Sequence, residues 1–114
     1  MKCLYGFGFE TPRQRLLNDG NGRDDEDSGC LFIECESAGE ALRWGRVVAE
    51  AFMKWLYSDD SISWAESGYA DWVNASPEAE YTPEQLANIA CVPVGKMSDL
   101  SIISGQAKPH GPMR

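Results

Sequence analysis

One stretch limits the fold more than any other: a strand pattern that runs straight into a capped helix. Cys30-Leu31-Phe32-Ile33-Glu34-Cys35-Glu36 alternates, with Leu31, Ile33 and Cys35 on one face. Cys30, Phe32, Glu34 and Glu36 take the other face, which turns polar as the strand ends. Ser37 and Glu40 then form a Ser-x-x-Glu capping box, a specific start signal. The helix that follows should run from Ala38 to about Tyr57. Glu40, Arg43, Arg46, Glu50 and Lys54 fall on one narrow stripe, and Ala41, Leu42, Trp44, Val48, Ala49, Ala51, Phe52, Trp55 and Leu56 fill most of the rest. A helix so widely apolar needs two neighbours, a sheet on one side and a further segment or second subunit on the other. Gly45 costs about 1 kcal/mol relative to alanine in a helix interior, which close approach of a neighbouring backbone would explain.

Residues 2–10 form a second period-2 pattern. Cys3, Tyr5, Phe7 and Phe9 share one face, while Gly6 and Gly8 leave the other bare, as if something packs close to the backbone. A helix aromatic over these glycines would fit. Residues 11–29 show a helical turn at most, at Pro12–Leu17, and then turn residues and the acidic run Asp24-Asp25-Glu26-Asp27. They read as a long loop. Trp64, Gly68, Tyr69, Trp72 and Val73 recur at three- to four-residue steps, which favours a short helix near Gly68–Val73 over a strand. Thr82-Pro83-Glu84-Gln85 is another capping box and predicts a helix over Pro83–Ile89. Cys91-Val92-Pro93-Val94 reads as an edge strand, because proline cannot donate to a ladder. Leu100–Ile103 could add one short element.

These elements predict an α+β fold: a two-layer sandwich whose small, mostly antiparallel sheet is covered by one long amphipathic helix and a short second helix. The expected order is β-β-α-α-β. Residues 1–104 should form a single domain, and residues 105–114, without an apolar pattern, a disordered tail. No run of eighteen apolar residues occurs and no signal-peptide pattern opens the chain, so it reads as cytoplasmic.

Charge says more about partners. The formal net charge is -8. Residues 58–99 hold eight acids against Lys96 alone, net -7. Nucleic acid and anionic membrane would both repel such a chain, whereas a basic protein would not.

Residue types exclude much chemistry. The one histidine, His110, lies in the expected tail, so a nucleophile has no imidazole base. Cys3, Cys30, Cys35 and Cys91 contain no Cys-x-x-Cys pair, and Cys30 and Cys35 point to opposite strand faces, so they read as small buried hydrophobes and no zinc is expected. Asp19 and Asn21 open like a calcium loop, but Arg23 and Cys30 occupy ligand positions, which rejects it. Asp24, Asp25 and Asp27 leave only a loose cation site to weigh against a solvated loop. No cofactor is implied. Glu34 and Glu36 sit on one strand face, roughly 7 Å apart, beside a helix N-terminus.

The most unusual combination is aromatic and acidic. Trp64, Tyr69 and Trp72 lie among Asp59, Asp60, Glu66, Asp71, Glu78 and Glu80. Aromatic anchors ringed by one sign of charge suit a protein-binding surface. Three expectations follow, in this order. The chain is an immunity- or inhibitor-like module docking on a basic partner, and more an interaction protein than an enzyme. It is a homodimer subunit joined through the apolar helix face and the bare glycines. Or it is a small-ligand protein or carboxylate-based enzyme using Glu34, Glu36 or the Cys35 thiol.

Overall fold

The structure is a computed structural model that describes residues 1–21, 26–97, 99–101 and 103. Strand β1 (Lys2–Phe9) is the centre of the sheet, and the rest assembles on its two edges. β2 (Asp27–Glu34) pairs antiparallel with it, from Lys2 opposite Glu34 to Phe9 opposite Asp27. β3 (Asp71–Asn74) takes the other edge of β1, also antiparallel. β4 (Cys91–Pro93) lies parallel to β2, giving the order β3-β1-β2-β4. The fold is the expected α+β class: a four-stranded mixed sheet with one long helix and shorter ones.

The inward face follows from alternation. Cys3, Tyr5, Phe7 and Phe9 are essentially inaccessible, as are Leu31 and Ile33 from β2. Helix α2 (Ala38–Tyr57) lays Ala41, Val48, Ala49, Phe52 and Met53 into this core. Phe52 meets Phe7 and Phe9 edge-on, with ring centroids 5.4 and 4.8 Å apart. Trp64 closes the cluster edge-on to Phe7. A further residue from near the end of the described chain, Ile103, joins this core. Ile103 is fully buried and packs onto Gly29 beside Phe7.

The start of α2 differs from the expected box in one bond. The Glu40 N–H donates to the Ser37 hydroxyl, but the Glu40 carboxylate accepts from the Glu36 N–H, one residue earlier than usual. At the other end Ser58 adopts the left-handed conformation and its N–H donates back to Lys54 and Trp55 carbonyls.

Both glycine expectations change partner. Trp72 from β3, not a helix aromatic, covers Gly6; a Cβ there would lie 2.3 Å from its ring. At Gly45 the neighbour is the Tyr5 ring rather than a backbone, again 2.3 Å from an added Cβ. The bare face of β1 is thus filled from within the chain, which removes that reason to expect a dimer.

Three local expectations are corrected. Pro12–Asn21 is a helix, α1, and not a loop, and β2 begins at Asp27 rather than Cys30. Thr11 caps α1 by the device used at Thr82: its hydroxyl accepts from the Gln14 N–H while Gln14 accepts from the Thr11 N–H. Gly68–Val73 is not a helix: a single 3₁₀ turn spans Ala65–Ser67, and Asp71–Asn74 is β3. The open edge of β1 recruits that segment, and ladder bonds outweigh its weak helical spacing. The helix α3 (Pro83–Leu86) stops three residues early, and a 3₁₀ turn spans Pro77–Ala79. The order is therefore β-α-β-α-β-α-β. Asp24 and Asp25 of the cation expectation, and the 105–114 tail, lie outside the described residues. No described helix is long and apolar enough to cross a membrane.

Candidate functional site: the β3 margin and the strand-end cleft

The nine acidic and aromatic candidates divide into two groups. Three have partners inside the fold. Trp64 is 3% exposed, and its indole N–H donates to the Gly8 carbonyl at 2.8 Å. Asp71 takes both ends of the Arg46 guanidinium, at 2.8 and 3.3 Å, and accepts from the Tyr5 hydroxyl at 3.0 Å. The Arg46 contact, and then the Tyr5 bond, hold the Asp71 carboxyl below its usual range despite partial burial. Tyr69 donates to Glu10 at 2.6 Å and accepts from Arg15 at 3.1 Å.

The other six face solvent. Trp72 stands 42% exposed on the sheet face away from α2. Asp59 accepts from the Ser61 N–H and hydroxyl and so closes its own turn. Glu80 accepts from Asn74 at 2.6 Å, which fixes it at the end of β3. Asp60, Glu66 and Glu78 are exposed and form no ion pair among the described residues. Glu66 belongs to the turn leading into β3, tethered by Trp64 on Gly8 and by the Gly8 N–H on the Ala70 carbonyl. Along the chain, Asp60 and Glu66 precede β3 and Glu78 and Glu80 follow it.

β3 is also an open edge. The Gly8–Ala70 bond sets the ladder phase, so Trp72 and Asn74 bond to β1 while the peptide groups of Val73 point outward. The Val73 N–H and carbonyl have no hydrogen-bond partner among the described residues.

A polar knot went unnoticed in the sequence. Glu10, just after β1, accepts from Tyr69 and Asn18 and pairs with Arg15 at 3.7 Å. Arg15 also reaches Ser67 and lies over the Tyr57 ring, and the Tyr57 hydroxyl donates to the Glu10 carbonyl. Burial raises the Glu10 carboxyl, but the Tyr69 and Asn18 bonds and Arg15 outweigh it, so the group titrates low. The donors and acceptors satisfy one another, and the knot fastens α1, the end of α2 and the Trp64 turn to β1. Glu50 does similar work, accepting from the Trp64 and Ala65 N–H groups at 3.0 and 2.9 Å.

The third expectation finds a place as well. An open cleft of about 680 Å³ lies where β1 begins and where β2 and β4 end, against the first turn of α2. Met1, Lys2, Glu34, Cys35, Glu36, Glu40, Pro93 and Val94 line it. Met1 and Cys35 exchange main-chain bonds of 2.9 Å that extend the ladder past Lys2. Behind Cys35 lies Cys3, with the two Sγ atoms 3.6 Å apart. Cys30 is half-buried and Cys91 exposed, so only Cys3 and Cys35 are the buried hydrophobes expected of all four. No cluster of three or more metal-ligating side chains occurs among the described residues.

The chain matches no protein-family model, no curated protein and no solved structure. Its own geometry carries the functional reading.

Proposed function

We propose that this protein is a binding module that docks the β3 margin against a basic protein partner. One observation carries the reading: an edge strand with open peptide groups at Val73 is flanked along the chain by exposed acids that no cation neutralises among the described residues. An extended basic segment answers both features, because it completes the ladder and brings the charge. Trp72 supplies an aromatic anchor beside the edge. The opposite edge suits this role less, since β4 is three residues long and ends in Pro93.

The test is capture from host lysate at low and at physiological salt, with three forms of the bait. The expected result is one basic protein, held less well as salt screens it. The D60N/E66Q/E78Q variant should lose it. V73P, which removes the outward N–H and also alters the core-packed Val73 side chain, should weaken it at a temperature where the variant keeps the native far-UV spectrum. A partner that binds all three baits equally would sink the reading.

The cleft favours a second reading, a small-ligand site, because Glu34, Cys35 and Glu36 line one concavity. A fragment titration followed by amide shifts tests it. Shifts confined to residues 34–40 and 93–94 would support it, and their absence would remove it.

A further inference from the structure

We propose that Cys35 and Cys3 form a thiol–disulfide exchange pair at the strand-end cleft, with Cys35 the attacking thiol and Cys3 the resolving one. The substrate class is a low-molecular-weight disulfide. The inference is independent of the β3 margin and rests only on the cleft and the two sulfurs.

Three features assign the roles. Cys35 lines an open cleft and keeps 8% of its surface exposed, against none for Cys3, so of the two it is the thiol that a small disulfide meets first. Cys3 is fully buried with its sulfur 3.6 Å from that of Cys35, which places it to act on Cys35 rather than on a molecule in solvent. The backbone on both sides is fixed, because Cys3 sits in the β1–β2 ladder and Cys35 closes that ladder with Met1. The sulfurs must close from 3.6 Å to about 2.05 Å to bond. Burial and the Cys35 contact also raise the Cys3 thiol, which suits a group that acts second.

The chemistry balances. The Cys35 thiolate attacks one sulfur of the small disulfide, whose S–S bond breaks. One small thiol leaves, taking the proton that Cys35 gave up, and Cys35 holds the other half as a mixed disulfide. The Cys3 thiolate then attacks the Cys35 sulfur, and the second small thiol leaves with the proton of Cys3. The protein has lost two hydrogens, and one small disulfide has become two thiols. The product bond ties the start of β1 to the residue two before the α2 cap, across the back of the cleft.

Cystamine is a suitable probe, because Glu34, Glu36 and Glu40 outnumber Lys2 and the terminal ammonium in the cleft. The full chain would carry C30S and C91S, so that only this pair can react. Under native conditions the intact mass should fall by the two hydrogens, and peptide mapping should join Cys3 to Cys35. In a chain that also carries C3S, the mixed disulfide should accumulate on Cys35. With C35S instead, Cys3 should react at least about a hundredfold more slowly than Cys35 does, since a buried thiol is inert. In denaturant the two rates should converge, which separates burial from chemistry. Two cystamine halves on the unsubstituted pair, or no reaction in the native state, would overturn the proposal. So would equal native rates for the two single thiols while both chains keep the native far-UV spectrum.

Discussion

The turn that carries Trp64 and the strand that carries Trp72 are eight residues apart and drawn from the same acidic, aromatic stretch. Their fates are opposite. Trp64 drops onto Phe7 and bonds Gly8, and Glu50 clasps its backbone from α2. Trp72 stands on the outer face over Gly6, nearly half exposed, on a strand whose far edge is open. The acids divide in the same way. Glu10, Glu50 and Asp71 each collect several donors, while Asp60, Glu66 and Glu78 collect none among the described residues. Composition alone therefore does not mark a surface. What separates fold from surface is whether a donor within the chain is in reach.

The two tryptophans give the sharpest way to break this division. W64A removes a buried ring and its hydrogen bond and should cost about 3–5 kcal/mol in denaturant unfolding. W72A should cost under about 1 kcal/mol, because the ring keeps much of its surface in water. Equal losses would erase the distinction.

Gly45 tests the packing beneath the Trp64 side. Alanine is the better helix former by about 1 kcal/mol, yet its Cβ would meet the Tyr5 ring, which Asp71 pins through the hydroxyl. G45A should therefore destabilise, by about 1–3 kcal/mol net. A stabilised variant would show that Tyr5 can move aside. The comparison is G6A, where the obstructing ring is the half-exposed Trp72 and can swing away at smaller cost.

How much of this could be read in advance follows the same line. The inward faces of β1, β2 and α2 were legible because periodicity reports burial directly, and Cys3, Tyr5, Phe7, Phe9, Leu31 and Ile33 all point where alternation puts them. α1 was missed although Thr11-Pro12-Arg13-Gln14 repeats the capping signature of Thr82-Pro83-Glu84-Gln85, because its body carries polar residues and Gly20 instead of an apolar stripe. β3 was misread because its strand state depends on β1, which lies more than sixty residues away. The polar knot was beyond reach for the same reason: Glu10, Arg15, Tyr57 and Tyr69 form no local pattern. The cleft was half legible. Glu34, Cys35 and Glu36 stood out beside a helix start, but the approach of Cys3 and Pro93 required the register.

Glu10 sharpens the division among the acids. Its carboxyl titrates below the ordinary range in the folded chain, so it stabilises the fold above its unfolded pKa, about 4.3. That contribution disappears as pH falls through the lower folded value. E10Q should cost about 1–2 kcal/mol at neutral pH, for the charge-assisted bonds to Tyr69, Asn18 and Arg15. It should also flatten the loss of thermal stability below about pH 4.3. An acid limb as steep as that of the unsubstituted chain would place the titration in other carboxylates.

The smallest effect is expected where function is proposed. Asp60, Glu66 and Glu78 face water with no cation beside them among the described residues, so D60N/E66Q/E78Q removes three charges without breaking an ion pair. Stability should stay within about 0.5 kcal/mol, or rise slightly as self-repulsion falls. A clear loss of stability would mean that they have internal roles, and the β3 margin would then be scaffold. An unchanged melt would leave the three acids with no contribution to folding, as the proposed docking role requires.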